Sequence, residues 1–419
     1  MVYKVNPLKR YDMKKLFFVV AVALMTAACS SDDVAGQAPE PVVCPGAIEL
    51  TRGEEDLVAQ NNDFAFRLAQ VGLEAGKSQM LSPISITYAL GLLNNGAAGQ
   101  TQQQINQVLG FQDVEAANVF CQKMLAKAPL LDDKTQVKIA NTLFMNKGYS
   151  LKPDFIEKAA NYYQADPQTR DFHDGQTLDV INQWASDHTE KMIDKVLNGN
   201  NFNPDAVSYL LNAIYLKGEW TNKFEKNETY DELFTTTNQK LPTMHKRGKF
   251  SYAETDELQA LQLPYGNGAY VMTVLLPRPE KSLSSVLENL TAESLKDLSA
   301  NMFLADVAIK LPRFETQTVK NLVPIMSKLG MTDAFDRYRA EFPGFCDVPT
   351  FISMMLQSSC IKVNEDGTEA AAVTIIGMDG VDAPGPEPTY IPFYATRPFL
   401  YVISQQATGA IFFIGQFAG

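Results

Sequence analysis

Side-chain catalysis needs a nucleophile with a base, a matched acid–base pair, or a set of metal ligands at suitable spacing. The chain has three histidines, His173, His188 and His245. None belongs to an HExxH segment or to a pair at i, i+4, so the zinc-protease pattern is absent. No GxSxG elbow occurs. The run Asn95-Gly96-Ala97-Ala98-Gly99-Gln100-Thr101 has the glycines of a phosphate loop but lacks its lysine and the strand before it. It reads as a turn between two helices. The five cysteines, Cys29, Cys44, Cys121, Cys346 and Cys360, form no CxxC pair, which argues against a zinc ribbon or a thioredoxin-type site. Cys121 and Cys360 read as buried apolar residues. Carboxylates are plentiful, yet no spacing marks two of them for acid–base work. The sequence thus nominates no catalytic residue, no metal ligand and no cofactor.

It does single out one segment. Glu365-Asp366-Gly367-Thr368-Glu369-Ala370-Ala371-Ala372-Val373-Thr374-Ile375-Ile376 follows an apolar run at 354–363 and contains no proline. In an extended strand Thr368, Ala370, Ala372, Thr374 and Ile376 share one face, and four of these five are small. Such a segment can slot between existing strands without striking a core beneath. Gly367 supplies the joint. Pro384, Pro386, Pro388 and Pro392 follow, and proline is kept out of central strands. The stretch able to become a central strand therefore ends near Ala383. A surface loop rich in Gly, Ala and Pro is the plainer reading, and composition alone does not choose between them.

The surrounding elements set the frame. Helical spacing covers 56–73, 102–109, 113–127, 152–163, 178–197, 283–298 and 318–329, with Ser82-Pro83 as a further helix start. Strand patterns cover 136–145, 207–217, 258–264, 270–276, 307–311, 354–363, 400–405 and 410–417. Strands and helices interleave without a βαβ period, which indicates an α+β fold with mixed or antiparallel sheets in one domain over 52–419. Hydrophobic residues make up 46% and charged residues 20%, an ordinary globular mix. A net charge of -12 with no long basic run argues against nucleic-acid binding.

The N-terminus reads as an export signal. Lys14-Lys15 precede an apolar run, 16–25, too short to span a bilayer, and Thr26-Ala27-Ala28-Cys29 follows. Met13 fits as the true start. Cys29 after two alanines resembles a bacterial lipobox, which makes it the lipidation site. Ser30-Ser31-Asp32-Asp33 resembles the export tag of Bacteroidetes surface lipoproteins. Residues 1–28 are then a signal peptide and 29–51 a flexible tether. Residues 1–28 carry five Lys or Arg and one Asp, so their removal takes the net charge from -12 to -16. The expected location is the outer membrane, facing the exterior, and the expected state is a monomer.

Ordered blocks over 55–419 resemble the serpin family. They are Asn62-Asp63-Phe64-Ala65-Phe66, Leu81-Ser82-Pro83-Ile84-Ser85-Ile86, and Asn212-Ala213-Ile214-Tyr215-Leu216-Lys217-Gly218-Glu219-Trp220. Leu311-Pro312-Arg313-Phe314, Leu329-Gly330-Met331, Ala334-Phe335 and Arg397-Pro398-Phe399 continue the series. The stretch from Val363 to Ala372 is similar almost letter for letter to the hinge of inhibitory members. The resemblance implies three β-sheets, about nine helices and an exposed reactive loop over about 364–396. It implies inhibition of serine proteases, with cysteine proteases as a second class, by cleavage of the loop and its insertion into the central sheet. Gly367 and Thr368 would start that insertion, Glu365 and Glu369 flank them, and Ala370, Ala371 and Ala372 permit it. Arg313 and Glu365 match positions that pair at the top of the sheet, beside Trp220. Ser82, Ser85 and Asn212 match the region where strands part. Gln357 departs from the family's usual histidine ten residues before the hinge glycine, which implies weaker pH sensitivity.

Fourteen residues on from Gly367, the usual inhibitory spacing places the cleaved bond at Val381-Asp382, suited to an elastase-like pocket. Met378-Asp379 is the second choice. No lysine or arginine lies between Gly367 and Tyr394, which argues against trypsin-like targets. The alternative is a non-inhibitory serpin-fold binding protein. Such members carry bulky or charged residues where this chain has Thr368 and Ala370–Ala372.

Overall fold

A computed structural model describes residues 47–368 and 389–419. Nine α-helices lie among them: α1 (Arg52–Gly72), α2 (Pro83–Asn94), α3 (Gly99–Leu109), α4 (Val114–Lys127), α5 (Pro153–Tyr163), α6 (Thr177–His188), α7 (Leu283–Asn289), α8 (Ala292–Ala300) and α9 (Val323–Lys328). The strands are β1 (Gln79–Leu81), β2 (Thr135–Asn146), β3 (Gln168–Arg170), β4 (Ser208–Glu219), β5 (Thr229–Phe234), β6 (Gln239–Glu254), β7 (Leu258–Tyr265), β8 (Tyr270–Pro277), β9 (Phe303–Pro312), β10 (Phe314–Asn321), β11 (Met354–Asn364), β12 (Gly367–Thr368), β13 (Ile391–Tyr394), β14 (Phe399–Gln405) and β15 (Ile411–Phe417).

The central sheet has the order β10-β11-β12-β4-β2-β3. The second has the order β1-β15-β14-β8-β7-β6-β9-β13, with β5 on β6. Three sheets were expected, and in hydrogen-bond terms the described residues form two. The reason is β6, whose 243–252 segment pairs with β9 and whose Tyr252–Glu254 end pairs with β7. One long strand thereby joins two layers into a single ladder.

Helix α2 explains how the layers meet. Every residue from Pro83 to Asn94 is buried, as an all-round apolar helix must be. It packs on β2 and β4 on one side and on β15 on the other. Ser82 caps it, its hydroxyl accepting from the Ser85 N–H at 3.3 Å, with Pro83 at the first helical position. The cap fixes this helix start against the central sheet. The motif at Asn62 ties α1 to the hairpin of β14 and β15, donating to Gly409 O at 2.9 Å and accepting from Ile411 N at 3.0 Å. Arg397 donates from Nε and Nη2 to Pro277 O, fixing the start of β14.

Several sequence expectations are corrected. The helix expected over 318–329 begins only at Val323, because Phe314–Asn321 is strand β10 with Phe314, Thr316 and Thr318 buried. Two threonines on the inner face weaken the apolar alternation that would have marked it. The expected helix at 283–298 is two, since Thr291 caps a second start. The one expected over 178–197 ends at His188. The strands β5 and β6 had no counterpart in the sequence reading. Ile48, inside the segment read as tether, is buried in the core. Cys121 and Cys360 are buried, as expected, and so is Cys346.

Candidate functional site: the central seam and the hinge

Strands β11 and β4 run parallel and pair from Met354 with Tyr209 up to Cys360 with Tyr215. Above that point they part. Gly367 and Thr368 occupy the gap, antiparallel to both neighbours: Thr368 opposes Val363 and Gly218, and Gly367 opposes Asn364 and Glu219. The first two hinge residues are thus already a strand of the central sheet.

Local chemistry dictates this seating. Asn364 Oδ1 accepts from the N–H groups of Asp366 and Gly367 at 3.0 and 3.2 Å, a side-chain turn that reverses the chain after β11. Gly367 adopts φ +146°, and a Cβ there would lie 2.0 Å from Gly218 O and 2.7 Å from Glu219 Cα. Only glycine fits. Thr368 is fully buried, its hydroxyl 2.8 Å from that of Tyr265. The Tyr265 ring stacks on Trp220 at 4.5 Å. Trp220 in turn donates from Nε1 to Asn364 O at 2.9 Å and from its backbone to Asp366 O at 2.9 Å.

Glu365 locks the turn. Its Oε1 accepts from Arg313 Nε at 2.7 Å and Nη2 at 2.5 Å, and from the Thr229 hydroxyl. The Glu365 side chain is 3% exposed and Arg313 43%. Burial pushes the Glu365 carboxyl up, but the hydrogen bonds from Arg313 and Thr229 outweigh it and hold the group below its usual range. Asp366 faces Lys226 at 3.0 Å.

Lower in the seam three amides lie in register on adjacent strands: Gln357 opposes Asn212, and Asn212 opposes Asn141. Gln357 Nε2 donates to Asn212 Oδ1 at 2.7 Å, and lies 3.1 Å from Ser82 O and 3.2 Å from Ser85 Oγ. Its Oε1 accepts from Ser82 N at 3.1 Å. Asn212 donates to Ser85 O at 3.0 Å and Asn141 Oδ1 at 2.7 Å, and accepts from Ser85 Oγ at 2.6 Å. All of these residues are buried. The network ties β11 and β4 to each other and both to the start of α2, so a strand entering the seam must break the Gln357–Asn212 bond.

The fold therefore brings together Ser82, Ser85, Asn212 and Gln357 in one cluster, and Arg313, Glu365, Trp220, Gly367 and Thr368 in another. Glu369, Ala370, Ala371, Ala372, the Val381-Asp382 and Met378-Asp379 bonds, and Cys29 lie outside the described residues. The sequence reading missed Asn141, Thr229 and Tyr265. Asn141 left a signal: it interrupts the inward series Val137, Ile139, Leu143 and Met145. Among the described residues no group of three or more His, Cys, Asp or Glu is placed to hold a metal ion.

The amide cluster carries a prediction. Amides do not titrate, whereas a buried histidine at 357 would resist protonation and keep a pKa below its exposed value of about 6.5. Below that pH the unfolded chain binds a proton that the folded one refuses, so stability falls as pH falls. The variant Gln357→His should lose about 3 °C more in Tm than the wild type between pH 8 and 5, followed by circular dichroism. Parallel Tm curves would show that the site does not feel the charge.

Comparison with known proteins agrees with this geometry. The family model described as serpin (serine protease inhibitor) matches residues 59–419. Human Serpin B8 is 33% identical over 378 residues, covering 87% of this chain and 99% of its own. Iripin-2 of Ixodes ricinus is 30% identical over 385 residues, covering 87% and 93%. The crystal structure of the thermophilic serpin tengpin in the native state superposes with a TM-score of 0.81 at 28% identity, covering 88% and 95%. The chain belongs to the serpin family and has the serpin fold. Membership of that family associates it with the inhibition of proteases, not with a catalytic activity of its own.

Proposed function

We propose that the chain is a suicide-substrate inhibitor of serine proteases, with cysteine proteases as a second class of target. The observation that carries this reading is the seating of Gly367 and Thr368 between β11 and β4 above a seam that is still closed. A protease serine attacks the carbonyl of the reactive bond, proposed at Val381-Asp382, forming an ester to Val381 and releasing the amine of Asp382. The freed segment then continues from Thr368 down the seam. The small face of Thr368, Ala370 and Ala372 suits a buried strand. Strand β4 has 12 residues and spans about 40 Å, so full insertion carries the attached enzyme from one end of the sheet to the other. Val381 favours elastase-like pockets. Lipid on Cys29 would hold a monomeric inhibitor on the outer cell surface, its tether leaving the loop accessible.

Residues 30–419 mixed with neutrophil or pancreatic elastase should give a complex that survives SDS, together with a released peptide beginning at Asp382. Cleavage at a single loop bond without a stable complex, across elastase, chymotrypsin, subtilisin and papain, would overturn the trapping mechanism.

A further inference from the structure

Between the corner of β6 and β7 and the helix pair α7 and α8 lies a cavity of about 490 Å³, within the size range of small-molecule sites. The cap at Thr291 shapes it. Its hydroxyl accepts from the Ser294 N–H at 3.1 Å and starts a new helix, so that Val286 and Leu290 of α7 and Leu298 of α8 meet over one floor. Ala253 of β6 and Leu258 of β7 complete that floor, and all five are buried. Phe303, the first residue of β9, walls the mouth. Its ring stands at 87° to that of Tyr252, with centroids 6.0 Å apart, and the residue is 54% exposed. An exposed aromatic residue continuous with an apolar floor is surface that a ligand would cover.

The rim is rich in acceptors. No lysine, arginine or histidine lines the cavity, whereas Glu254, Glu257 and Asp297 do. Glu254 Oε2 accepts from Arg278 at 2.9 Å and from the Tyr252 hydroxyl at 2.5 Å, and Glu257 Oε1 accepts from Lys281 at 2.6 Å. Those two carboxylates are balanced. Asp297 has no ion-pair partner among the described residues, and its neighbour Lys296 lines a different cavity. Asn289 and Asn301 each donate from Nδ2 to a backbone carbonyl, Ser285 O and Asp297 O, at 2.8 Å, which leaves each Oδ1 as an acceptor. Ser294 spends its hydroxyl proton on Thr291 O at 3.0 Å. An apolar floor suits an apolar body, and an acceptor rim with one uncompensated carboxylate suits a cationic donor at its end. An ammonium group supplies three donors and a positive charge, and an aromatic ring such as Phe303 attracts it further. We infer that this cavity binds a small amphipathic amine, its apolar body on the floor and its ammonium group at Asp297. None of the lining residues belongs to the central sheet or to the hinge, so the site stands apart from the trap.

The probes are phenylbutylamine, phenylbutanol and phenylbutyrate, which share one body and carry a cationic, a neutral and an anionic head at neutral pH. Titration calorimetry at low ionic strength, where charges are least screened, should show saturable binding with the amine tightest and the acid weakest. Asp297→Asn should weaken the amine about threefold, the size of one exposed charge contact, and leave the alcohol unchanged. Asp297→Lys should bind the acid in preference to the amine. Asp297 is exposed, so both variants should keep the wild-type Tm. Phe303→Ala should weaken all three probes. Equal wild-type affinities for amine and alcohol would reduce the site to an unselective apolar cavity and overturn the assignment. Absence of saturable amine binding, or an amine affinity that Asp297→Lys leaves unchanged, would overturn it as well.

Discussion

Replacing Thr368 with arginine is expected to turn the inhibitor into a substrate. Thr368 is fully buried against Tyr265, in a gap bounded by the backbones of β11 and β4. A guanidinium in that gap lies against the stacked rings of Tyr265 and Trp220, and burying an unpaired charge is strongly unfavourable. In the proposed mechanism insertion competes with hydrolysis of the acyl-enzyme, so its rate would decide the outcome. Because Thr368 is already seated, arginine there would be expelled from the gap before cleavage, and reseating it during insertion would cost about 3 kcal/mol and slow that step on the order of a hundredfold. Thr368→Arg should therefore be cleaved at the normal rate while its yield of SDS-stable complex falls at least about tenfold. Thr368→Val keeps the shape, loses only the hydroxyl contact, and should still trap. An undiminished complex yield from the arginine variant would refute insertion through this gap.

The second large effect is expected at Glu365. Its carboxylate accepts from Arg313 and Thr229 and fixes the turn between β11 and β12. Lysine there would set a second cation against Arg313 in a nearly closed site. Arg313 is 43% exposed, so water screens part of the repulsion, and a loss of about 2 kcal/mol remains. The turn should release, the upper gap should open, and another copy's loop could enter. Glu365→Lys should form chains of molecules on native gels after mild heating, while the wild type stays monomeric. Glu365→Gln, which keeps the hydrogen bonds, should fall between them. Because the Glu365 carboxyl is held below its usual range, its contribution is complete above about pH 4.3 and is lost only as pH falls through the lowered value. The wild type should therefore resemble the glutamine variant, whose side chain is likewise uncharged, only in acid. No difference in chain formation at neutral pH would show that the Arg313–Glu365 contact does not hold the turn.

How much of this was legible in the sequence follows from which residues signal by type. Gly367 and Thr368 stand out because a glycine joint and a small-residue face need no knowledge of partners. The block from Asn212 to Trp220 is apolar enough to read as a buried strand. What stayed hidden depends on long-range pairing. Thr229 lies 136 residues before the carboxylate it serves, and nothing local distinguishes it from any other threonine. Tyr265 acquires its role only because β7 brings it under the hinge. Strand β6 escaped notice because its outer face carries His245, Arg247 and Lys249, so its apolar alternation is faint. The strand β10 was lost to the apolar residues of the helix that follows it.

The parallel pairing of β11 with β4 gives the molecule a direction. Parallel ladders are slightly less stable per residue than antiparallel ones. This one runs for seven residue pairs along the centre of the sheet, from Met354–Tyr209 to Cys360–Tyr215. The hinge residues above it are antiparallel to both flanking strands. Each further residue that follows them therefore exchanges part of one weaker ladder for parts of two stronger ones. The molecule behaves like a zip whose slider is already engaged. On the insertion proposed above, the downward stroke would gain backbone pairing at every step, the upward stroke would lose it, and the amide crossbar at Gln357 would hold the slider in place.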